Sequence, residues 1–247
     1  MRTSLLCLVV LLLEVVRAVA EETAVPSAVS VDLATWREPH GEWLEAGEAT
    51  SDPANAKALF ATPGDGVLLN GKTGRTSDLL SVAEFGDVEL HLEFMVPQGS
   101  NSGVYFQGRY EIQILDSWGV NELHHGDCGG IYQRWKLDPG MSDAERGYEG
   151  KAPRVNASKQ PGEWQSFDIV FRAPRFDTAG KKTENAKFVK VVHNGVLIHE
   201  NEEVTGPTRA ARFEDEQRKG PLMLQGDHGP VAFRNIHIKP ADLQTTR

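Results

Sequence analysis

A chain of 247 residues, 40% hydrophobic and 25% charged, has the composition of a soluble globular protein with room for one large β domain or two small ones. Its net charge of −9 repels phosphate backbones and anionic lipid, which excludes nucleic acid as a natural partner. The cysteines number two, and one of them stands at position 7, so a packed core rather than a disulfide must hold the mature fold.

The first twenty residues, MRTSLLCLVVLLLEVVRAVA, place Arg2 before an apolar run from Leu5 to Leu13 and end on Ala18-Val19-Ala20. This is the pattern of a cleaved export signal, and Glu14 breaks the run short of the roughly 20 apolar residues of a membrane span. The expectation is an exported protein, periplasmic or extracellular, with no stable membrane insertion after cleavage. Losing Arg2, Glu14 and Arg17 removes one net positive charge, so the mature chain carries −10 and keeps only Cys128. Residues 21–30 read as a small polar linker and 31–242 as one domain.

Strand-like runs follow at 66–71, 87–96, 103–107, 110–115, 164–173, 186–201, 221–225 and 231–240, punctuated by Gly, Pro, Asn and Asp. In DVELHLEFMV, Val88, Leu90, Leu92 and Phe94 share one face. Glu89, His91 and Glu93 share the other, which either meets solvent or lines a cleft. YEIQIL (110–115) alternates too, but the face opposite Tyr110, Ile112 and Ile114 carries Arg109, Glu111 and Gln113. Same-face residues lie about 6.5–7 Å apart, so this row spans about one sugar ring. A buried Glu111 needs Arg109 as its ion partner or a site around it. Residues 116–161 hold few strand signals but several aromatics, and read as an ordered rim over a site. Asn194-Gly195, between two apolar runs, marks a tight hairpin.

Other residues have site chemistry. His193 stands before the hairpin turn, and His228 lies in a Gly-rich segment beside Gln225 and Asp227. Trp118, Tyr132 and Trp164 offer flat faces for a sugar, Trp118 foremost because it follows the polar strand. HHGDC (124–128) has metal-ligand residue types without zinc spacing, and reads as an ordered polar loop. No cofactor is indicated, and a divalent ion stays open without a ligand set. Asn156-Ala157-Ser158 fits the N-glycosylation pattern.

Five blocks resemble the 3-keto-disaccharide hydrolase domain family: NSGVYFQGRYEIQILDSWG (101–119), DCGGIYQ (127–133), PRVNASKQPGEWQSFDIVFRAPRFD (153–177), HNGVLIHEN (193–201) and GPLMLQGDHGPVAFRNIHIKP (220–240). The resemblance extends upstream through DLATWR (32–37) and DLLSVAEFGDVELHLEF (78–94). It implies a concanavalin A-like jelly roll, two antiparallel sheets with a carbohydrate-holding face. It also implies cleavage of glycosidic bonds in sugars oxidised at carbon 3.

A 3-keto sugar needs one base for the carbon-2 proton, donors near the enolate oxygen, and a proton donor for the leaving group. Glu111 is the candidate base, Arg109 or Gln113 the enolate partner, and His193 or His228 the donor. Gln225 completes the candidate binding residues. Two alternatives stand beside this enzyme. One is a carbohydrate-binding module without turnover. The other is a conventional two-carboxylate glycosidase, in which EIQILD resembles the Glu-x-Asp-x-x-Glu strand of laminarinase-like enzymes and a β-bulge would bring Asp116 to the face of Glu111.

Overall fold

The computed structural model describes residues 29–243, so the expected export signal and most of the linker lie outside the described residues. Fifteen strands are formed among the described residues. The first six are β1 (Leu44–Asp52), β2 (Asn55–Leu69), β3 (Leu79–Phe85), β4 (Val88–Met95), β5 (Asn101–Phe106) and β6 (Tyr110–Leu115). Short β7 (Arg134–Trp135) and β8 (Gly147–Tyr148) flank a helical turn, α1 (Asp143–Arg146). Then come β9 (Gln165–Arg172), β10 (Arg175–Phe176), β11 (Lys182–Glu184), β12 (Ala186–His193), β13 (Val196–Val204), β14 (Gly220–Leu224) and β15 (Ala232–Pro240).

Seven strands make one antiparallel sheet in the order β1-β2-β15-β4-β9-β12-β13, and four make a second in the order β3-β14-β5-β6. The two sheets pack as a concanavalin A-like jelly-roll sandwich. Side-chain alternation decides which faces meet. Leu90, Phe94, Phe167 and Val191 from the larger sheet pack with Val104, Ile112, Ile114 and Leu222 from the smaller one. Aromatic rings fill the centre, with Phe106 stacked on Phe171 at 4.8 Å and edge-on to Phe188 at 5.4 Å.

The polar face of β4 resolves as the solvent-side face of the larger sheet. Each of its residues pairs across to a neighbouring strand: His91 with Asp168, Glu93 with Arg234, and Glu89 with Lys239. It therefore does not line a cleft beside Arg109, which belongs to the other sheet. The Asn194-Gly195 hairpin joins β12 to β13 with φ of 50° and 80°, the positive values that such a turn demands.

Residues 116–161 are tied down. Gly129 and Gly130 exchange backbone hydrogen bonds with Gln113, and the Tyr132 amide donates to the Glu111 carbonyl at 3.2 Å. The segment thus runs beside β6 and lengthens the smaller sheet at that edge. The pairing of β5 with β6 is regular from Asn101↔Leu115 to Phe106↔Tyr110, and no bulge interrupts it.

Candidate functional site

The site lies on the face of the smaller sheet that points away from the core. Tyr105 pairs with Glu111 and Gly103 with Gln113 across β5 and β6, while Met223 of β14 pairs with Tyr105. Gln225 extends the β14 line, its amide donating to the Gly103 carbonyl at 3.0 Å. Leu222 and Leu224 point into the core, so by alternation Met223 and Gln225 face outward with Glu111.

Gly103 is required here for space. A side chain at this position would collide with Glu111 Oε1 and with the Tyr105 ring. The missing Cβ is the room into which the Glu111 carboxyl folds. The Tyr105 hydroxyl donates to that carboxyl. Glu111 is 2% exposed, and burial pushes its pKa up from 4.5 to about 8; the Tyr105 hydrogen bond pulls it down, while Asp78 and Asp227 push it further up. The carboxyl therefore holds its proton at neutral pH. Burial and the same carboxyl raise the Tyr105 phenol well above its ordinary value, so Tyr105 stays a donor.

Asp78 sits immediately before β3, its Oδ1 accepting the Gly226 amide at 3.0 Å. Its carboxyl is raised first by burial. The Gly226 hydrogen bond opposes this, Asp227 adds to it, and Arg212 and His228 oppose it. His228 and Asp227 are bonded to each other and about half exposed, at the mouth of the group. The buried Gln225 Oε1 has no hydrogen-bond partner. A buried unsatisfied acceptor is costly, and here it belongs to the same row as Asp78, Gly103 and Gln113.

The other expected residues separate into two sets. Gln113 and Gln225 share the sheet face of Glu111, Tyr132 is bonded to the Glu111 carbonyl through its amide, and His228 lies on the Asp78 side beside Asp227. Arg109 does not serve Glu111. Although it shares the strand face, its guanidinium binds the Asp215 carboxylate at 2.8 Å, the Asp215 carbonyl and the Gln107 carbonyl at 2.7 Å, with the Phe213 ring 4.7 Å away. It fastens residues 205–219 to the sheet, and the expected Arg109–Glu111 ion pair does not form.

His193 is fully buried between the sheets among Phe94 and Phe167, its Nε2 3.0 Å from Gln165 Oε1. Burial lowers its pKa to about 4, so it is a neutral core residue on the wrong sheet. Asp116 lies beyond the end of β6, where it accepts the Gly99 amide at 2.9 Å. Without a bulge it never joins Glu111, which removes the laminarinase-like pairing. Trp118 projects into solvent at 54% exposure. Trp164 packs on the outer face of the larger sheet under Arg234, 4.1 Å from the ring.

The HHGDC loop is an ordered polar turn: Asp127 accepts from Ser117 Oγ and the His124 amide, and the buried Cys128 thiol is pushed up to about 12. Among the described residues no group of three or more His, Cys, Asp or Glu side chains is placed to hold a metal ion. Asn156 gives its amide hydrogens to the Ser117 and Val120 carbonyls at 2.7 and 3.0 Å, so the glycosylation pattern is occupied structurally.

Sequence reasoning missed Gly103, Tyr105, Asp78 and Asp227. Gly103 and Tyr105 were legible in principle, because they alternate with Val104 and pair opposite the polar row. Asp78 carried no local signal.

The jelly-roll sandwich carries a buried carboxyl on its outer sheet face, and its family and structural matches make it a carbohydrate-acting domain of the glycosyl hydrolase-like class. The model of the 3-keto-alpha-glucoside-1,2-lyase-like domain matches residues 30–239, and the chain belongs to that family. Among solved structures, the chain is similar to a Parabacteroides distasonis ATCC 8503 protein provisionally described as a glycosyl hydrolase. Identity is 29% over 72% of this chain and 73% of that one, with a TM-score of 0.55. A second protein from that organism with the same description shares 22% identity over 81% of this chain and 99% of its own, with a TM-score of 0.47. No curated protein sequence matches.

Proposed function

We propose that this domain cleaves the glycosidic bond of 3-keto-glycosides, 3-keto-disaccharides among them, by removing the proton on carbon 2 and expelling the group on carbon 1. A ketone at carbon 3 makes the carbon-2 hydrogen acidic, because the electron pair left behind is held as an enolate. That pair then forms the C1=C2 bond while the C1–O bond breaks onto the glycosidic oxygen. A proton delivered to this oxygen releases it as an alcohol. Addition of water to the double bond converts the elimination into net hydrolysis.

The observation that carries this reading is the Glu111 carboxyl, buried on Tyr105 and protonated up to about pH 8, within a family described as 3-keto-alpha-glucoside-1,2-lyase-like. A carboxyl in that state is a proton donor at neutral pH. Glu111 is therefore assigned to the leaving oxygen rather than, as the sequence suggested, to carbon 2. Gln113 and Gln225 bind sugar hydroxyls, and Tyr132 flanks them.

The test is incubation with methyl 3-keto-α-glucoside and, in parallel, its unoxidised parent. Release of methanol and the 3-keto sugar or its unsaturated form is expected from the first alone. Binding without release would make the domain a carbohydrate-binding module, and equal cleavage of the parent would make it a conventional glycosidase. The reading also keeps export, and N-terminal sequencing of the mature protein should begin near Glu21.

A further inference from the structure

The sheet brings a second carboxyl to Glu111 from a strand that is remote in sequence. Across β3, β14 and β5 the positions Asp78, Gln225 and Gly103 fall in one row. Asp78 Oδ1 accepts from Gly226, next to Gln225, and the Gln225 amide donates to Gly103, where the Glu111 carboxyl rests. Two strand spacings separate the Asp78 and Gly103 backbones, about 9.5 Å. That is about the breadth of a sugar ring with its linkage.

A second observation points independently to a ligand between them. Gln225 is 7% exposed, yet its Oε1 has no hydrogen-bond donor. An acceptor in that position fits a sugar hydroxyl. Asp78 is only half-buried and Arg212, which is exposed, lies within electrostatic reach of it. The two carboxyls thus differ in setting: one fully enclosed on a phenol, the other half-buried and near a cation. Such a difference separates a proton donor from a proton acceptor.

We propose that Asp78 is the catalytic base of this site, taking the carbon-2 proton while Glu111 protonates the departing oxygen and Gln225 Oε1 accepts a ring hydroxyl. The assignment rests on the 3-keto-glycoside reading above. One turnover transfers the carbon-2 proton to Asp78, moves the C–H pair into the C1=C2 bond, and sends the C1–O pair to the oxygen that receives the Glu111 proton. Asp78 ends protonated and Glu111 ionised, and proton exchange with water resets both. No oxidant or reductant is consumed.

The experiment compares Asp78→Asn, Glu111→Gln and His228→Gln on methyl 3-keto-α-glucoside and on the 4-nitrophenyl analogue, whose leaving group needs no proton. Asn keeps the oxygen that accepts from Gly226, and a thermal melt verifies that the fold persists. Asp78→Asn should slow both substrates by about 10²-fold or more, the usual scale for losing a general base. Glu111→Gln should slow the methyl glycoside similarly but the 4-nitrophenyl glycoside by less than about tenfold. His228→Gln tests another proton acceptor at the mouth, beside Asp78, and on this assignment slows the two substrates less than Asp78→Asn does. A folded Asp78→Asn protein with undiminished turnover overturns the assignment while leaving the 3-keto reading intact, as does loss of the base step in His228→Gln instead. A wild-type protein inert toward both substrates overturns the 3-keto reading, and the Asp78 base with it.

Discussion

The buried carboxyl of Glu111 makes a thermodynamic prediction that needs no substrate. Its pKa stands at about 8 in the folded protein against an ordinary value of 4.5. Between those values the folded state binds the extra proton, so the stability of the fold falls as pH rises through this window. Below pH 4.5 both states hold the proton and the contribution is constant. Above pH 8 both have lost it, and the full cost of a buried carboxylate is felt. The slope is about 1.4 kcal/mol per pH unit at most, and the whole window amounts to about 5 kcal/mol. For a domain of this size each kcal/mol moves Tm by about 2–4 °C.

Glu111→Gln keeps the shape and an acceptor for Tyr105 but removes the titration. Melts of both proteins from pH 4.5 to 9 should give curves that lie close at the acid end and diverge steadily upward. By pH 8.5 the variant should be the more stable by about 10 °C or more. Subtracting one curve from the other cancels groups common to both, Asp78 included, except for their coupling to Glu111. Parallel curves would show that Glu111 titrates as an ordinary carboxyl. The assignment of a protonated donor at neutral pH would then fail.

Four further outcomes follow from the same contacts. Gly103→Ala should lower turnover by about 10²-fold or more, because a side chain there displaces the Glu111 carboxyl; kcat/KM compared with Glu111→Gln checks it. Tyr105→Phe removes a bond that favours ionised Glu111, so the alkaline limb of the pH–rate profile should move to higher pH. Arg109→Met should destabilise by about 1–3 kcal/mol in urea unfolding, since the Gln107 carbonyl loses its donor while Asp215 returns to solvent, and proteolysis should appear first within residues 205–219. Asn156→Ala should cost about 1–3 kcal/mol by the same assay, and the folded protein incubated with an oligosaccharyltransferase should stay unglycosylated at Asn156.

The fold was legible because its signals are local. Alternation in DVELHLEFMV and YEIQIL marked which face meets the core, and Asn194-Gly195 marked a hairpin, through physics that acts within a few residues. The polar row on β6 was also legible as a row. What each member does was not, because its partners arrive from far along the chain. Arg109 is claimed by Asp215, 106 residues on. His193 has the parity of a core position and the residue type of a catalyst, and only the packing of Phe94 and Phe167 around it decides between them.

Asp116 is not a second carboxyl for Glu111, and the reason is geometric. Along one regular strand, residues an odd number apart point to opposite faces, so Asp116, five positions beyond Glu111, was reachable only through a bulge that β6 does not contain. A sheet supplies same-face partners most readily across its strands, at spacings of about 4.8 Å, and not only along one of them. Asp78 comes onto the sheet face of Glu111 by this route, across β14, whose residues lie more than 100 positions from either. A single acidic residue on an otherwise polar strand face is therefore no evidence against acid–base catalysis in a jelly roll. The partner should be sought at the end of a neighbouring strand, where a glycine such as Gly103 leaves room between the two.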